Sequence, residues 1–323
     1  MPTAIRIRQT GGPEVLEAAE VETAEPGARE IAVDVAAAGV NYIDTYHRSG
    51  LYPLELPCVL GMEGAGTVAA VGGEVTGVAV GDRVAWQGAL GGYAQRALIP
   101  ADIAVPVPDG VSDEVAAATL LQGVTAHYLV SSTYRVSEGE TVLVHAAAGG
   151  VGLLLVQLAK ARGARVIGTV STEEKEALAR QAGADEVIRY TERDFTEAVR
   201  EFTGGEGVSV VFDGVGKNTY EGSLASLRVR GMLALFGASS GPVPPIDPQR
   251  LNAGGSLFLT RPKTGDYTRT RDELLWRTGE LFAAITAGTL DVRIGGRYPL
   301  AEARQAHEDL QGRRTTGKLL LLP

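Results

Sequence analysis

The sequence predicts an α/β protein with two domains, one rich in β-strands and one built on a parallel sheet with helices on both faces. Three observations predict this class. The 323 residues are enough for two domains, and 45% hydrophobic with 21% charged residues is typical of a globular protein. Short strand patterns separated by Gly, Pro and Asp occupy the first third. After it, strand and helix patterns alternate.

The N-terminal third carries the strand patterns. Runs such as TAIRIRQ, EIAVDVAAAGV, GAGTVAAVG and DRVAW alternate or are rich in β-branched residues. Helical patterns are scarce in this region. We therefore predict that residues 1–123 form a β-rich domain.

Residues 124–262 have a different pattern. TVLVHAA, VGLLLVQLAKARG and RVIGTV read as strand, helix and strand, and similar pairs follow to LFLTRP. Gly after a basic last turn, in KARGA and RQAGA, marks helix ends. Right-handed crossovers between such strands give a parallel, doubly wound sheet. Residues 263–323 read as a helix followed by strand, helix and strand, and we expect them to return to the first domain.

Charge and cysteine content narrow the classes of function. Lys and Arg total 30 against 39 Asp and Glu, a net charge of −9, which argues against nucleic acid as a partner. Cys58 is the only cysteine, so an internal disulfide and a Cys-rich zinc site are impossible. The N-terminal residues lack a signal or transit pattern, and no apolar run is long enough to span a membrane. We expect a cytoplasmic protein.

The segment AAAGGVG, residues 146–152, follows a strand and opens a helix. Ala147, Gly149 and Gly152 occupy the positions of G-x-G-x-x-G, with Gly150 and Val151 between them. A small first residue permits the tight turn, Gly149 lets the backbone approach a pyrophosphate, and Gly152 lets the helix pack on the sheet. The helix N-terminus favours phosphate. This turn predicts a dinucleotide site.

The end of the next strand predicts which dinucleotide binds. NAD-selective sites carry an Asp or Glu about 20 residues after the turn, but GTVST at 168–172 has no carboxylate. Ser171, Thr172 and Lys175 can instead donate to an adenosine 2′-phosphate. Glu173 and Glu174 weaken this interpretation because they could repel a phosphate. Lys175 could also be a solvated lysine on the helix surface. We predict NADPH in preference to NADH.

Together with this turn, GVNYIDTYHRSGLYP, LGMEGAGTVAAVG, GDRVAW, VVFDGVG and FGASSG resemble the zeta-crystallin-like quinone oxidoreductases of the medium-chain dehydrogenase/reductase superfamily. The resemblance covers essentially the whole chain. It implies a GroES-like catalytic domain split around a Rossmann domain, NADPH in a cleft between them, and a homodimer formed by edge-to-edge extension of the Rossmann sheets.

The zinc-dependent members of the superfamily carry a Cys near the position of Asn41 and a Gly-His-Glu where this chain has Gly61, Met62 and Glu63. Without these ligands the resemblance is to the zinc-free branch, and no metal is expected. The histidines show no metal-ligand spacing. His145 lies in an apolar strand and is interpreted as a core residue with satisfied hydrogen bonds.

The resemblance also implies the active-site residues. Asn41, Tyr46 and Tyr52 lie in the segment similar to the family's active-site wall, where amide and phenol groups can donate to a developing oxyanion. Each could equally be part of the scaffold, Asn41 as a turn residue and the tyrosines as packing aromatics. Asp44 is expected to fix the neighbouring loop.

Further cofactor residues are implied by the resemblance alone. Thr125 and Tyr128 are expected next to the nicotinamide half of the cofactor. The loop after the fifth Rossmann strand and the FLTRP segment are expected to contact the cofactor as well. Arg261 and Arg313 are phosphate candidates, although Arg313 could be solvated, and Tyr190 is a candidate for stacking by the adenosine. The loop and FLTRP residues concerned are Phe236, Gly237, Ser239, Ser240 and Phe258.

The predicted function is NADPH-dependent quinone reduction by direct hydride or electron transfer without a metal. Positioning and hydrogen bonds to the developing oxyanion can supply most of the barrier reduction. An NADPH-dependent enone or enoyl-thioester reductase is the alternative, because it uses the same geometry with protonation of the α-carbon by Tyr46 or Tyr52. An RNA-binding or structural, crystallin-like role is a weaker alternative, and the net charge of −9 disfavours RNA.

Overall fold

The protein, described by a computed structural model over residues 1–22 and 24–323, forms two compact units. The first unit comprises residues 1–124 and 268–323, and the second comprises residues 125–267. The first unit is therefore built from both ends of the chain.

The strands are β1 (Thr3–Ile7), β2 (Glu17–Glu20), β3 (Glu30–Val40), β4 (Cys58–Val59), β5 (Glu63–Val71), β6 (Arg83–Gln87), β7 (Arg96–Pro100), β8 (Val105–Pro106), β9 (Thr141–Val144), β10 (Arg165–Val170), β11 (Glu186–Arg189), β12 (Val208–Asp213), β13 (Leu227–Leu235), β14 (Phe258–Thr260), β15 (Ile294–Pro299) and β16 (Lys318–Leu322). The α-helices are α1 (Tyr42–Ser49), α2 (Asp113–Tyr128), α3 (Gly150–Ala161), α4 (Glu173–Gln181), α5 (Phe195–Phe202), α6 (Tyr220–Ala225), α7 (Pro248–Ala253), α8 (Arg271–Thr286) and α9 (Ala303–Gln311).

The second unit is built on a parallel sheet with the strand order β11-β10-β9-β12-β13-β14. The chain runs outward from β9 through β10 to β11, crosses back to β12, and continues to the opposite edge. Every residue of β12 is buried, as expected of a central strand in a parallel sheet covered on both faces. This is the doubly wound order of dinucleotide-binding domains, so the predicted fold class is confirmed.

The first unit holds a mainly antiparallel sheet in the order β15-β16-β3-β5-β6-β8, with β7 also paired to β3, and a smaller sheet of β2, β1 and β4. The C-terminal strand β16 lies antiparallel to β3, with Leu320 opposite Gly39. Leu320 is fully buried. The last strand of the chain thus completes a sheet that begins in the N-terminal third.

Two helices occur where the sequence patterns indicated mainly strands. The helix α1 follows β3, and α2 begins at Asp113 and runs past the predicted boundary at Gly123. Buried residues lie all around α2, among them the consecutive residues Ala116, Ala117 and Ala118. A helix that is apolar on every side has no amphipathic period, and therefore sequence periodicity does not reveal it.

Buried polar side chains attach α1 to the rest of the first unit. The Asp44 Oδ2 atom accepts hydrogen bonds from the Asn41 N–H at 2.8 Å and from the Tyr93 hydroxyl at 2.9 Å. The Tyr93 oxygen also lies 3.1 Å from His307 Nε2, and His307 Nδ1 lies 3.1 Å from the Arg48 guanidinium. These bonds fix the start of the helix that carries Tyr46.

Burial makes Asp44 an unusually weak acid. Its other oxygen, Oδ1, is buried and has no hydrogen-bond partner among the described residues. Burial raises the pKa of Asp44 from 3.8 to about 7, against the opposing effect of the bonds from Asn41 and Tyr93. Because the folded pKa lies above the unfolded one, the folded protein holds a proton that the unfolded chain has released between these pH values.

In wild type we expect the free energy of unfolding to decrease between pH 4 and pH 7.5. In Asp44→Asn we expect this decrease to be smaller. The stability that Asp44 contributes is complete below pH 3.8 and is lost as the pH rises through about 7, whereas an amide has no charge to lose. Urea unfolding between pH 4 and 8 measures this. The matched control is Asp194→Asn, at the exposed cap of α5. Parallel curves for wild type and Asp44→Asn would contradict the prediction.

Candidate functional site

The turn between β9 and α3 brings the predicted glycine-turn residues together. Ala146 has a φ of 51°, and its carbonyl accepts a hydrogen bond from the Gly149 N–H at 2.8 Å. A Cβ at Gly152 would lie 2.2 Å from the same carbonyl oxygen, so only glycine fits there. The turn residues named by the sequence are Ala147, Gly149, Gly150, Val151 and Gly152.

The tight turn places the N-terminus of α3 directly after the carboxyl end of β9. The N–H groups of a first helical turn have no partner inside the helix, and with the helix dipole they favour a phosphate. Ala147 is fully buried, and its N–H donates to the Thr169 carbonyl at 3.0 Å, which ties the turn to β10. The chain therefore fits a dinucleotide pyrophosphate at this position.

The residues predicted to hold the adenosine end lie where β10 and β11 finish. Thr172 caps α4, with its hydroxyl accepting the Lys175 N–H at 3.3 Å. The Ser171 carbonyl accepts from the Thr191 hydroxyl at 3.1 Å. Tyr190 follows β11 and is 42% exposed. Ser171, Lys175 and Tyr190 are thus placed at one edge of the sheet, and their contacts to a cofactor stay a prediction.

The loops after β12 and β13 are bonded to each other. The Ser239 N–H donates to the Gly214 carbonyl at 3.2 Å, and the Ser240 N–H donates to the Val215 carbonyl at 2.9 Å. A Cβ at Gly237 would lie 2.4 Å from the Gly214 oxygen. The loop after β13 carries four residues predicted to bind the cofactor, namely Phe236, Gly237, Ser239 and Ser240. The sequence prediction omitted Gly214 and Val215, on which these residues depend.

Tyr128 lies in a pair of stacked aromatic rings within the second unit. Its ring is parallel to that of Tyr267, with centroids 4.3 Å apart and planes 4° apart. Burial raises the pKa of Tyr128 to about 12, although hydrogen bonds with Thr264 and Thr125 oppose the shift. Tyr128 is therefore neutral at physiological pH. Tyr267 and Thr264 were not predicted, because more than 130 residues separate them from their partners.

The remaining predicted cofactor residues have different settings. Arg261 donates to the Leu235 carbonyl at 2.8 Å, which places its guanidinium at the end of β13. Phe258 begins the edge strand β14 and is 55% exposed. Arg313 belongs to the first unit, in the turn after α9, with a φ of 56°. Their cofactor roles stay predictions.

The predicted catalytic tyrosines form an aromatic cluster in the first unit. The ring centroids of Tyr46 and Tyr52 are 5.3 Å apart in an edge-to-face arrangement, and the Tyr52 N–H donates to the Tyr46 carbonyl at 3.2 Å. Tyr42 and His47 extend the cluster on either side. Tyr52 is 38% exposed and Tyr46 is half-buried, so both present ring surface to solvent.

Asn41 is buried beside an ion pair. Its amide NH₂ donates to Glu63 Oε2 at 2.7 Å and to the Gly39 carbonyl at 3.3 Å, and its oxygen accepts from Lys318 Nζ at 2.7 Å. Lys318 and Glu63 are in direct contact and fully buried. Burial lowers the pKa of Lys318, and Glu63 opposes that shift. Sequence reasoning did not connect Lys318 with Asn41.

Among residues 1–22 and 24–323, no three His, Cys, Asp or Glu side chains are grouped so that they could hold a metal ion. None of the helices in the same residues is long and apolar enough to cross a membrane.

Comparison with known proteins assigns both parts of the chain. Residues 27–109 match the family described as "Alcohol dehydrogenase GroES-like domain", and residues 150–263 match "Zinc-binding dehydrogenase". The structure is similar to that of the Escherichia coli quinone oxidoreductase complexed with NADPH, with 47% identity and a TM-score of 0.98, covering 99% of this chain and 100% of that one.

Two further proteins are similar over the full length. A mycobacterial protein solved in complex with NADPH is 55% identical with a TM-score of 0.97, covering 99% of this chain and 100% of that one. The 2-haloacrylate reductase of a Burkholderia species is 44% identical, covering 100% of this chain and 99% of that protein. On these similarities the chain belongs to the quinone oxidoreductase family of the medium-chain dehydrogenase/reductase superfamily.

Proposed function

We propose that the protein is an NADPH-dependent quinone reductase. One observation carries the proposal: the strand end that would hold a carboxylate in an NAD site has Ser171, Thr172 and Lys175, in a chain that is 47% identical to a quinone oxidoreductase solved with NADPH. A 2′-phosphate there meets hydroxyl groups and a positive charge. The protein is accordingly an oxidoreductase that uses NADPH.

The chain's own residues orient the cofactor and the acceptor. NADPH, when bound, supplies the hydride. The amides at the start of α3 would hold its pyrophosphate, and Ser171 and Lys175 would hold its 2′-phosphate. A quinone needs no metal for activation, since its conjugated carbonyl groups accept hydride when a donor stabilises the developing oxyanion.

Tyr46 and Tyr52 are the donors that we propose for this oxyanion. Their rings are partly exposed and can also pack against a flat acceptor. Both amide hydrogens of Asn41 already have partners in the first unit, so Asn41 reaches a substrate only by giving one of them up. Its role as a donor stays a prediction.

A second candidate function is reduction of a conjugated acid, enone or enoyl thioester. The full-length similarity to a 2-haloacrylate reductase favours it. Such a reaction uses the same hydride but also protonates the α-carbon, which Tyr46 or Tyr52 would have to do. The protonation step separates the two functions chemically.

Homodimer formation is part of the proposal. It rests on the family resemblance and on β14, an edge strand of the parallel sheet whose Phe258 side chain is 55% exposed. A cytoplasmic location is likewise proposed, on the single cysteine of the sequence.

We expect NADPH oxidation with 1,4-benzoquinone and 1,2-naphthoquinone, and much slower oxidation with crotonyl-CoA or 2-chloroacrylate. Absorbance at the wavelength of reduced nicotinamide follows all four reactions, with enzyme-free mixtures as the control for direct reduction. Turnover of only the thioester or the haloacrylate would reject the quinone function and support the second candidate.

Lys175→Ala should raise the Michaelis constant for NADPH about tenfold and change that for NADH less than twofold, because a charge-assisted bond to the 2′-phosphate is lost. Steady-state kinetics with each coenzyme measure the two constants. The matched control is Arg180→Ala, which removes a positive charge from the other end of α4. Equal effects of Lys175→Ala on both coenzymes would show that the 2′-phosphate lies elsewhere.

Gly152→Ala should destabilise the protein by about 1–3 kcal/mol and weaken NADPH binding, because the new Cβ meets the Ala146 carbonyl and pushes α3 from the sheet. Gly279→Ala in α8 is the matched control. A Cβ there meets nothing within 4 Å, so it should be neutral or stabilise by up to about 1 kcal/mol. Thermal unfolding and NADPH titration give both quantities. Similar behaviour of the two variants would contradict the close packing.

A further inference from the structure

A chain of hydrogen bonds crosses the interior of the second unit beneath the predicted cofactor loops. His145 Nδ1 lies 2.9 Å from the Thr169 hydroxyl, and His145 Nε2 lies 3.0 Å from the Ser223 hydroxyl. Ser223 in turn donates to Asp213 Oδ2 at 2.8 Å. All four residues are buried, and none is more than 2% exposed. We refer to Thr169, His145, Ser223 and Asp213 as the relay chain.

The direction of every bond in the relay chain follows from Asp213. A carboxylate only accepts, so the single hydroxyl hydrogen of Ser223 goes to Asp213. The Ser223 oxygen must then accept from His145 Nε2–H, and the neutral ring accepts at Nδ1 from the Thr169 hydroxyl. Burial holds the pKa of His145 below its usual value, although Asp213 opposes the shift, which agrees with a neutral ring.

Asp213 also determines the conformation of the loop after β12. Its Oδ1 atom accepts from the Val215 N–H at 2.8 Å and the Gly216 N–H at 3.0 Å, and its carboxylate accepts from the Thr219 hydroxyl. That loop is bonded to the loop after β13, as in the pair formed by Ser240 N–H and the Val215 carbonyl. A shift of Asp213 would therefore move the residues predicted to lie by the nicotinamide.

His145 holds the start of the glycine turn, across from the loop after β12. It connects β9 to the glycine turn, directly before Ala146, and its N–H donates to the Phe212 carbonyl at 3.1 Å. Thr169 lies in β10, two residues before Ser171. The relay chain consequently spans β10, β9 and β12, with the switch point of the sheet between the last two, where doubly wound folds bind their ligands.

The order of groups differs from that of a hydrolytic triad. Ser223 lies between His145 and Asp213, is fully buried, and gives its hydrogen to the carboxylate rather than to the imidazole. It has neither the access nor the activation that a nucleophile needs. The arrangement is suited to holding backbone in place.

We propose that Thr169, His145, Ser223 and Asp213 are positioning residues that hold the glycine turn and the loops after β12 and β13 at one fixed separation, so that a single NADPH molecule contacts both. The inference rests on the proposed use of these loops for the cofactor. According to this inference, the relay chain contributes to the affinity for the whole dinucleotide. Affinity for the adenosine end depends on the glycine turn, Ser171 and Lys175.

The test compares Ser223→Ala with Ser226→Ala, a change of the same kind next to α6. Ser226 is equally buried, but its hydroxyl donates only to the Gly222 carbonyl at 2.8 Å, outside the relay chain. Fluorescence titrations give the Kd for NADPH and, by competition, for adenosine 2′,5′-diphosphate, which lacks the nicotinamide half. These titrations need no turnover.

For Ser223→Ala we expect the Kd for NADPH to rise about tenfold and that for adenosine 2′,5′-diphosphate to change less than twofold, since a buried N–H of His145 loses its acceptor. Ser226→Ala should leave both values unchanged. An unchanged NADPH Kd in Ser223→Ala, an equal loss in Ser226→Ala, or an equal loss for both ligands would each overturn the inference.

Thr169→Val keeps the volume and β-branching of a strand residue while removing the hydroxyl at the far end of the relay chain. It serves where Ser223→Ala does not fold, and a rise in the NADPH Kd alone is expected again. Wild-type protein that binds NADPH but reduces no quinone would reject the proposed function and leave this inference standing. If the wild-type protein reduces quinones and Thr169→Val has an unaltered Kd for NADPH, the proposed function is supported and this inference is rejected.

Discussion

The parallel pairing of β9 with β12 is the constraint on which the second unit depends. Val142 lies opposite Val210, and Val144 lies opposite Phe212, so the two strands end side by side. Beyond this point the chain leads to opposite sides of the pair, from β9 through α3 to β10 and from β12 through α6 to β13. The divergence leaves backbone groups at the carboxyl edge without strand partners. Those groups are free to form the loops that suit a dinucleotide.

Close packing at this edge restricts which residues fit there. Gly152 and Gly237 each sit where a Cβ would press on a backbone oxygen, and a Cβ at Gly168 would lie 2.9 Å from the Ala147 Cβ. Polar residues then satisfy the backbone groups that the turns expose, as Asp213 does for two consecutive amides. Small residues and buried hydrogen bonds therefore occur together at this edge for one physical reason.

The sequence predicts those features that depend on local spacing. The glycine turn, the missing carboxylate after β10 and the alternation of strands with helices are all readable within about 30 residues, and the fold class follows from them. Contacts between distant residues leave no such signal. Neither the stacking of Tyr128 on Tyr267 nor the contact of Lys318 with Glu63 has a sequence pattern, and α2 lacks the amphipathic period that identifies a helix.

The buried pair of Lys318 and Glu63 explains the residue at position 41. Charges without water are costly unless hydrogen bonds satisfy them fully. An asparagine side chain offers two donors and one acceptor, and Asn41 uses the donors on Glu63 and Gly39 and the acceptor on Lys318. A cysteine, the residue of the zinc-dependent members near this position, has only a weak donor and a weak acceptor. The ammonium of Lys318 and the amide of Asn41 thus form one buried unit, whereas Tyr46 and Tyr52 of the same segment are partly exposed.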